Sequence, residues 1–346
     1  CHGNHQPHDT GGHASMISRD RLWRRISYAA ALIAAALALS ACGSPQDEVY
    51  PSDPITLVVN WPAGGGMDRA GRLVAEYAGR RLDVPIAVIN VAGSGGAIGI
   101  RHVAEARPDG YTVGILGVSL VASQYINPNA NAVEDIDLIA FVGPDPAALQ
   151  VRADTGIETV AEFIDQAQAQ PSSIKNGNDA PGGVSHIAAT LLERTVDIEL
   201  TLVPYRGYAP TVSAVVSGEV QSATLPVHQL IDQHEAGDVK ILGVMAEERH
   251  FMAPDVPTFR EQGIDLVTGD WRAMYIPNSV PEDRRAFLEN LFVETMNDPE
   301  FQAAARQQSF FISPMGAADT QQFVADFDEA LYPILLDADL VKARQK

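Results

Sequence analysis

The chain has 346 residues, with 24 Lys and Arg against 44 Asp and Glu, a formal charge of −20 at neutral pH. A field of that sign repels nucleic acid and anionic lipid surfaces, so neither is expected as a partner. Two cysteines, Cys1 and Cys42, exclude a disulfide framework or a Cys-based metal site, and the length allows two modest domains or one large one.

Met16 opens a basic stretch (Arg19, Arg21, Arg24, Arg25) followed by the apolar run Ala29 to Leu39. These are the n- and h-regions of an export signal, too short for a permanent membrane span. The run ends Leu39-Ser40-Ala41-Cys42-Gly43, which resembles a bacterial lipobox and makes Cys42 the expected lipidation site. Residues 1–15, with His2, His5, His8 and His13, read as an over-extended gene start rather than a metal-binding tail. Residues 43–51 read as a tether. Removing residues 1–42 takes away four arginines and two aspartates, which leaves 20 basic against 42 acidic residues, a charge of −22. Anion capture must then rest on short-range donors inside a cleft. Salt adaptation is the alternative account of the acidity.

Beyond the tether, strand and helix signals alternate. Ile55–Val59 and Ile86–Ile89 predict strands, and Asp68 to Leu82 and Ile98 to Ala106 carry helical spacing. The turn Pro108-Asp109-Gly110 launches a third strand, Tyr111 to Leu116. The β-α-β-α-β order predicts an α/β fold on a parallel sheet with sites at the carboxyl ends of strands. Ile136–Val142 and Ala148–Val151 predict two strands either side of Pro144 and Pro146. Next come a helix from Thr159 to Gln168, a turn from Lys175 to His186, and a helix from there through Leu192. Strands at Leu200–Pro204, Val220–Leu225 and Ile241–Met245 follow, with helices at Pro210–Ser217 and Gln229–Glu235 between them. A strand at Ala273–Ile276 precedes helices at Glu282–Met296, Pro299–Gln307 and Thr320–Leu336.

Two glycine turns end the first two strands, each feeding a helix. The first is Asn60-Trp61-Pro62-Ala63-Gly64-Gly65-Gly66-Met67-Asp68, the second Asn90 to Gly99 with Gly93-Ser94-Gly95-Gly96-Ala97 at its centre. Glycine lets backbone N–H groups approach an anion, and a helix start adds further donors. The second turn fails the dinucleotide spacing because Ile98 stands where the third glycine belongs, and no acidic residue follows about twenty positions on. A third turn, Pro181-Gly182-Gly183-Val184-Ser185-His186, feeds another helix. Asp68 is placed to cap its helix and pin the loop rather than to touch an anion. His186 is a candidate donor or a partner of its own turn, and Arg206 is the cation expected at the cleft. His102 reads as an ordinary helix residue. No G-x-S-x-G, H-E-x-x-H or paired-histidine spacing is present, so no enzyme, metal or cofactor is expected.

These residues, in this order, resemble the periplasmic solute-binding subunit of tripartite tricarboxylate transporters, the TctC or Bug receptor family. The markers are Pro62 to Asp68, Asn90 to Gly99, Pro108-Asp109-Gly110-Tyr111-Thr112, Val203 to Pro210 and Asp255-Val256-Pro257-Thr258, spread over about residues 52–340. The resemblance implies a two-lobed fold with a ligand cleft between two α/β domains. Domain 1 would hold residues 52–148 and 272–346, and domain 2 residues 149–271. It implies that Trp61, Ala63 to Asp68, Gly93 to Ala97 and Ser119 hold one carboxylate of the ligand. Pro181 to His186, Tyr205 and Arg206 would close over its other end.

Met67 and Asn60 stand where many members have a hydroxyl residue and a proline. Ala180-Pro181-Gly182-Gly183 and Gly269-Asp270-Trp271-Arg272 lean toward a citrate-like ligand. The expected role is a lipid-anchored monomer that delivers a small organic carboxylate to large and small membrane subunits. A receptor serving a sensor kinase is the alternative, and a nucleotide-dependent oxidoreductase a remote one.

Overall fold

In the computed structural model, residues 50–179 and 181–346 are described; the export signal, Cys42 and the tether up to residue 49 lie outside them, as does Ala180. In chain order the first elements are β1 (Ile55–Val59), α1 (Gly66–Gly79), β2 (Ile86–Asn90), α2 (Ala97–Ala104), β3 (Thr112–Leu116), α3 (Ser119–Ile126) and β4 (Ile136–Arg152). There follow α4 (Val160–Ala169), β5 (Lys175–Asn178), α5 (Val184–Val196), β6 (Thr201–Pro204), α6 (Tyr208–Ser217), β7 (Ser222–Pro226), α7 (Ile231–Ala236) and β8 (Val239–Val244). The chain ends with β9 (Gly269–Pro277), α8 (Glu282–Met296), α9 (Pro299–Gln307), β10 (Met315–Gly316) and α10 (Ala317–Asp337).

Two sheets share one strand. In the first, β1 lies parallel to both β2 and β3, while β9 enters antiparallel between β3 and β4. The second is built on the far half of β4, which pairs antiparallel with β7 and β8, and β5 lies parallel to both β6 and β7. The α/β fold is thus as expected, with antiparallel strands added where the chain passes between sheets. Each sheet is covered on both faces. On the first, α1, α8 and α9 bury Leu73, Val74, Leu288, Phe292 and Phe301 on one side, and α3 and α10 bury Leu120, Tyr125, Val324 and Leu335 on the other. Ends are set locally: Thr159 and Glu162 form a reciprocal capping box on α4, and Asp298 caps α9 ahead of Pro299.

Pro144 and Pro146 do not divide β4. It runs unbroken from Ile136 to Arg152. A proline breaks a ladder only where its missing N–H is needed. At these two positions β4 pairs with β9 alone, since its pairing with β10 ends at Phe141 and that with β7 begins at Ala147. Lys175–Asn178, expected within a turn, is instead a buried strand. Helix α3 has no counterpart in the periodicity because five of its eight residues are buried, so no polar face shows in the sequence.

Gly143 lies where β4 passes toward the second sheet, and a Cβ there would sit 2.1 Å from the Phe311 carbonyl oxygen. That oxygen belongs to the backbone and cannot swing aside. Gly143→Ala should therefore cost about 1–3 kcal/mol, the usual penalty for overpacking. Urea unfolding at neutral pH checks this, and an unchanged midpoint would contradict it.

Candidate functional site

The carboxyl ends of β1, β2, β3, β5 and β6 each feed a helix: α1, α2, α3, α5 and α6. Gly65, Gly96, Gly183 and Gly207 occupy the N-cap positions of α1, α2, α5 and α6, and none of these caps carries a side-chain hydrogen bond. The first N–H groups of a helix have no partner within it, so such starts offer donors and a positive dipole end. Chain reversal at the second turn depends on glycine, since Gly93, Gly95 and Gly96 have φ of 139°, 66° and 97°. A Cβ on Gly96 would meet the Asn60 amide nitrogen at 2.8 Å, so the two turns are in contact.

Asp68 organises them. Its carboxylate accepts from Gly64 N (2.8 Å), Asn90 Nδ2 (2.8 Å) and Arg72 Nε (3.0 Å), while Asn90 Nδ2 also donates to the Trp61 carbonyl (3.0 Å). The first turn is thereby tied to the end of β2. The carboxylate occupies the third helical position rather than the cap and reaches back over Gly65 to Gly64. Burial alone raises its pKa, but the hydrogen bonds from Arg72, Gly64 and Asn90 outweigh it and hold the group at about 2.

Of the other expected residues, Trp61, Ala63, Gly64 and Gly65 are exposed, Gly66 half-buried, and Met67 buried with its methyl against Gly117. Gly93 is half-buried, Ser94 and Gly95 exposed, and Gly96 and Ala97 buried. Ser119 opens α3, its hydroxyl buried beside Gly96 without a partner among the described residues. In the third turn Pro181 is exposed, Gly182, Gly183 and Val184 are half-buried, and Ser185 is fully buried. Asp179 accepts from His186 N (3.0 Å), and Ser185 Oγ accepts from Asp179 N (2.8 Å).

His186 is a partner of its own turn. Its Nδ1 accepts from Gly182 N (3.4 Å), and burial lowers its pKa, so the neutral ring carries its proton on Nε2. Tyr205 packs its ring toward Gly177 within the second sheet's core. Arg206 is exposed and makes no ion pair among the described residues.

The buried cation is Arg272, two residues along β9 from Asp270. It donates to Asp145 (2.8 Å), lies over the Phe310 ring (5.2 Å), and leaves its Nε without a partner among the described residues. His228 Nδ1 lies 3.3 Å from the other Asp145 oxygen. Burial raises the Asp145 pKa, but Arg272 and His228 outweigh it and keep the group ionised. Asp270 differs: its Oδ1 accepts from Val118 N (3.2 Å) and Trp271 N (2.9 Å), and burial raises its pKa. The Tyr208 hydroxyl, its pKa raised first by burial, also feels Asp270, Asp179 and Asp145. The third turn, α6 and the β4–β9 crossing thus converge. Sequence reasoning passed over Tyr208, Asp145 and Arg272 as site residues, although Asp270 and Arg272 fell in a segment it singled out.

A prediction follows from Asp68. Its folded pKa lies below the ordinary 3.8, so its stabilisation is full above that value and lost as pH falls toward about 2. Asp68→Ala should cost about 1–2 kcal/mol near neutrality, and the gap from wild type should close between about pH 4 and 2. Thermal melts across that range check it; a gap independent of pH would contradict it.

The model of the tripartite tricarboxylate transporter family receptor matches residues 70–339. An Agrobacterium vitis protein encoded in the TAR-I ttuE-ttuC' intergenic region is 30% identical over 253 residues, 72% of this chain and 73% of that one. A solved TctC solute-binding protein from Polaromonas superposes with a TM-score of 0.76 at 30% identity, over 84% of this chain and 99% of its own. Two more distant structures share the fold: an R. palustris protein with adipate (TM-score 0.71, 23% identity, 84% of this chain and 98% of that one) and MatC from Rhodopseudomonas palustris with bound malate (0.63, 24%, 85% and 100%). The chain belongs to the tripartite tricarboxylate transporter receptor family, whose members are two-lobed periplasmic solute-binding proteins rather than enzymes.

Proposed function

We propose that this protein is a lipid-anchored receptor that captures a small organic carboxylate between its lobes and delivers it to the membrane subunits of a tripartite transporter. The observation that carries the reading is the gathering of glycine-started helices at the carboxyl ends of the parallel strands, with no N-cap side-chain hydrogen bond at α1, α2 and α6, while at α5 Asp179 takes the His186 N–H. Such ends bind anions through N–H donors and need no lysine or arginine. That suits a chain whose net charge would repel the ligand at long range. The adipate and malate found with two fold neighbours agree with a carboxylate. Cys42 supplies the anchor, and the lobes divide where β4 passes from the first sheet to the second, with residues 52–148 and 272–346 in one and 149–271 in the other. In this reading the first and second turns hold one carboxylate, and the third turn with α6 closes on the remainder.

Thermal-shift and calorimetric screening of di- and tricarboxylates against monocarboxylic aromatic acids tests this. A true ligand at a hundredfold excess over its Kd should stabilise the protein by about 2.7 kcal/mol. Gly65 is the informative variant. Its backbone is extended (φ −76°), and a Cβ there meets nothing nearer than the Pro62 carbonyl oxygen at 3.7 Å. Gly65→Val should fold normally and lose the ligand-induced shift. If no carboxylate stabilises the folded, ligand-free protein, the proposal fails; if Gly65→Val binds as wild type does, the turn assignment fails.

A further inference from the structure

The two carboxylates at the β4–β9 crossing are treated differently. Asp145 and Asp270 stand opposite each other in the register of the two strands, and Arg272 lies on the same face as Asp270, two residues along. Arg272 spends its ion pair on Asp145, and His228 adds a second contact to that same group. Asp270 forms no ion pair among the described residues. Two backbone N–H groups fix its Oδ1, which lies 2.7 Å from where a Gly117 Cβ would stand, a point 3.2 Å from the Met67 methyl. It therefore borders the first turn, at the ends of β1 and β3 where the ligand's carboxylate would be held. Its Oδ2 accepts no hydrogen bond from any described residue. Beside it, Arg272 is almost fully buried (6% exposed) and its Nε–H has no acceptor among the described residues.

A bare carboxylate or methylene brought against Asp270 leaves an acceptor unpaired or sets two anions together. An ammonium satisfies Asp270 but is driven toward a buried guanidinium. A hydroxyl is both donor and acceptor and can serve the two groups at once. We propose that Asp270 is the specificity-determining residue of this cleft and selects a ligand with a hydroxyl beside its carboxylate. The hydroxyl donates to Asp270 Oδ2 and accepts from Arg272 Nε–H. The inference rests on the reading of the cleft as a carboxylate site and names the class of carboxylate it takes.

The test uses the folded protein and acids that differ at one substituent. Succinate, malate and aspartate share a four-carbon dicarboxylate frame bearing hydrogen, hydroxyl or ammonium, and tricarballylate and citrate repeat the hydrogen–hydroxyl comparison on a larger one. In calorimetry the hydroxy acid of the pair that binds should be at least about tenfold tighter than its unsubstituted partner, as expected for a hydrogen bond to a charged group. Asp270→Asn preserves shape but presents an amide; it should bring that ratio close to one while the unsubstituted acid binds as well as before, or better. Equal affinities in the wild type, a ratio that survives Asp270→Asn, or a preference for aspartate over malate would each overturn the proposal. The wild-type ratio stands even if the variant does not fold. Binding of carboxylates without hydroxyl preference refutes this inference alone, whereas no binding of any carboxylate refutes the receptor reading beneath it.

Discussion

The contact on which the cleft's geometry depends is the buried pair between Arg272 on β9 and Asp145 on β4. β4 runs from the first sheet into the second, and its Asp145 meets Arg272 of β9 just before the second sheet begins. A buried ion pair is weak evidence for stability in itself, because desolvation consumes most of the attraction. Its importance here is geometric. One Asp145 oxygen accepts from Arg272, and the other lies 3.3 Å from Nδ1 of His228, which stands beyond β7. One carboxylate thus lies against both strands and the segment after β7. Removing either charged partner would leave the other buried and uncompensated, which typically costs 3–5 kcal/mol. The crossing is also where the chain tolerates no bulk: a Cβ on Gly269 would lie 2.5 Å from the Asp145 carbonyl oxygen.

From that crossing the electrostatics of the cleft can be followed outward. The chain's net charge is strongly negative, and the inner wall adds Asp145, Asp179 and Asp270, with Arg272 as the buried guanidinium among them. Anion binding by formal charge is therefore a poor description of the site. Backbone dipoles serve instead, and they act only within the first turn of a helix. Asp68 belongs to the same economy. It lies at the start of α1, where a carboxylate opposes an incoming anion, yet Arg72, Asn90 and Gly64 N–H occupy its oxygens. Its charge goes into holding the first turn against β2, which on the proposed reading leaves the first N–H groups of α1 to the ligand.

Much of this was legible in the sequence. Ile55–Val59 and Ile86–Ile89 are apolar runs bounded by glycine turns, and the helices at Glu282–Met296 and Pro299–Gln307 begin and end where the pattern places them. The turns were legible because glycine at positive φ has few substitutes. Lys175–Asn178 was not. Its Lys-Asn-Gly-Asn sequence has turn chemistry, yet it lies parallel between β6 and β7, because Asn176 finds Ser222 Oγ (3.1 Å) and Thr224 Oγ1 (3.3 Å) as partners. Those partners are more than forty residues away, and no local window contains them. Arg272 was hidden in the same way. Its role exists only once β9 is threaded between β3 and β4, while Arg206, the cation beside an evident motif, points to solvent.

The third turn shows how the same parts report the state of the cleft. A Cβ on Gly182 would lie 2.6 Å from the Ile126 side chain of α3, in the opposite lobe, and Ile187 of α5 shares an apolar cluster with Val118, Leu120 and Trp271. Arg194 of α5 pairs with Asp337 at the end of α10. Helix α5, which follows the third turn, therefore rests on α3 and α10. On the proposed reading, opening the lobes would break these contacts. On the proposed reading, the apolar contacts favour closure without a ligand, whereas the buried Arg272 Nε–H, which has no acceptor among the described residues, opposes it. A ligand that satisfied that group would add to closure what the empty site withholds, and that difference would be the free energy by which it shifts the lobes.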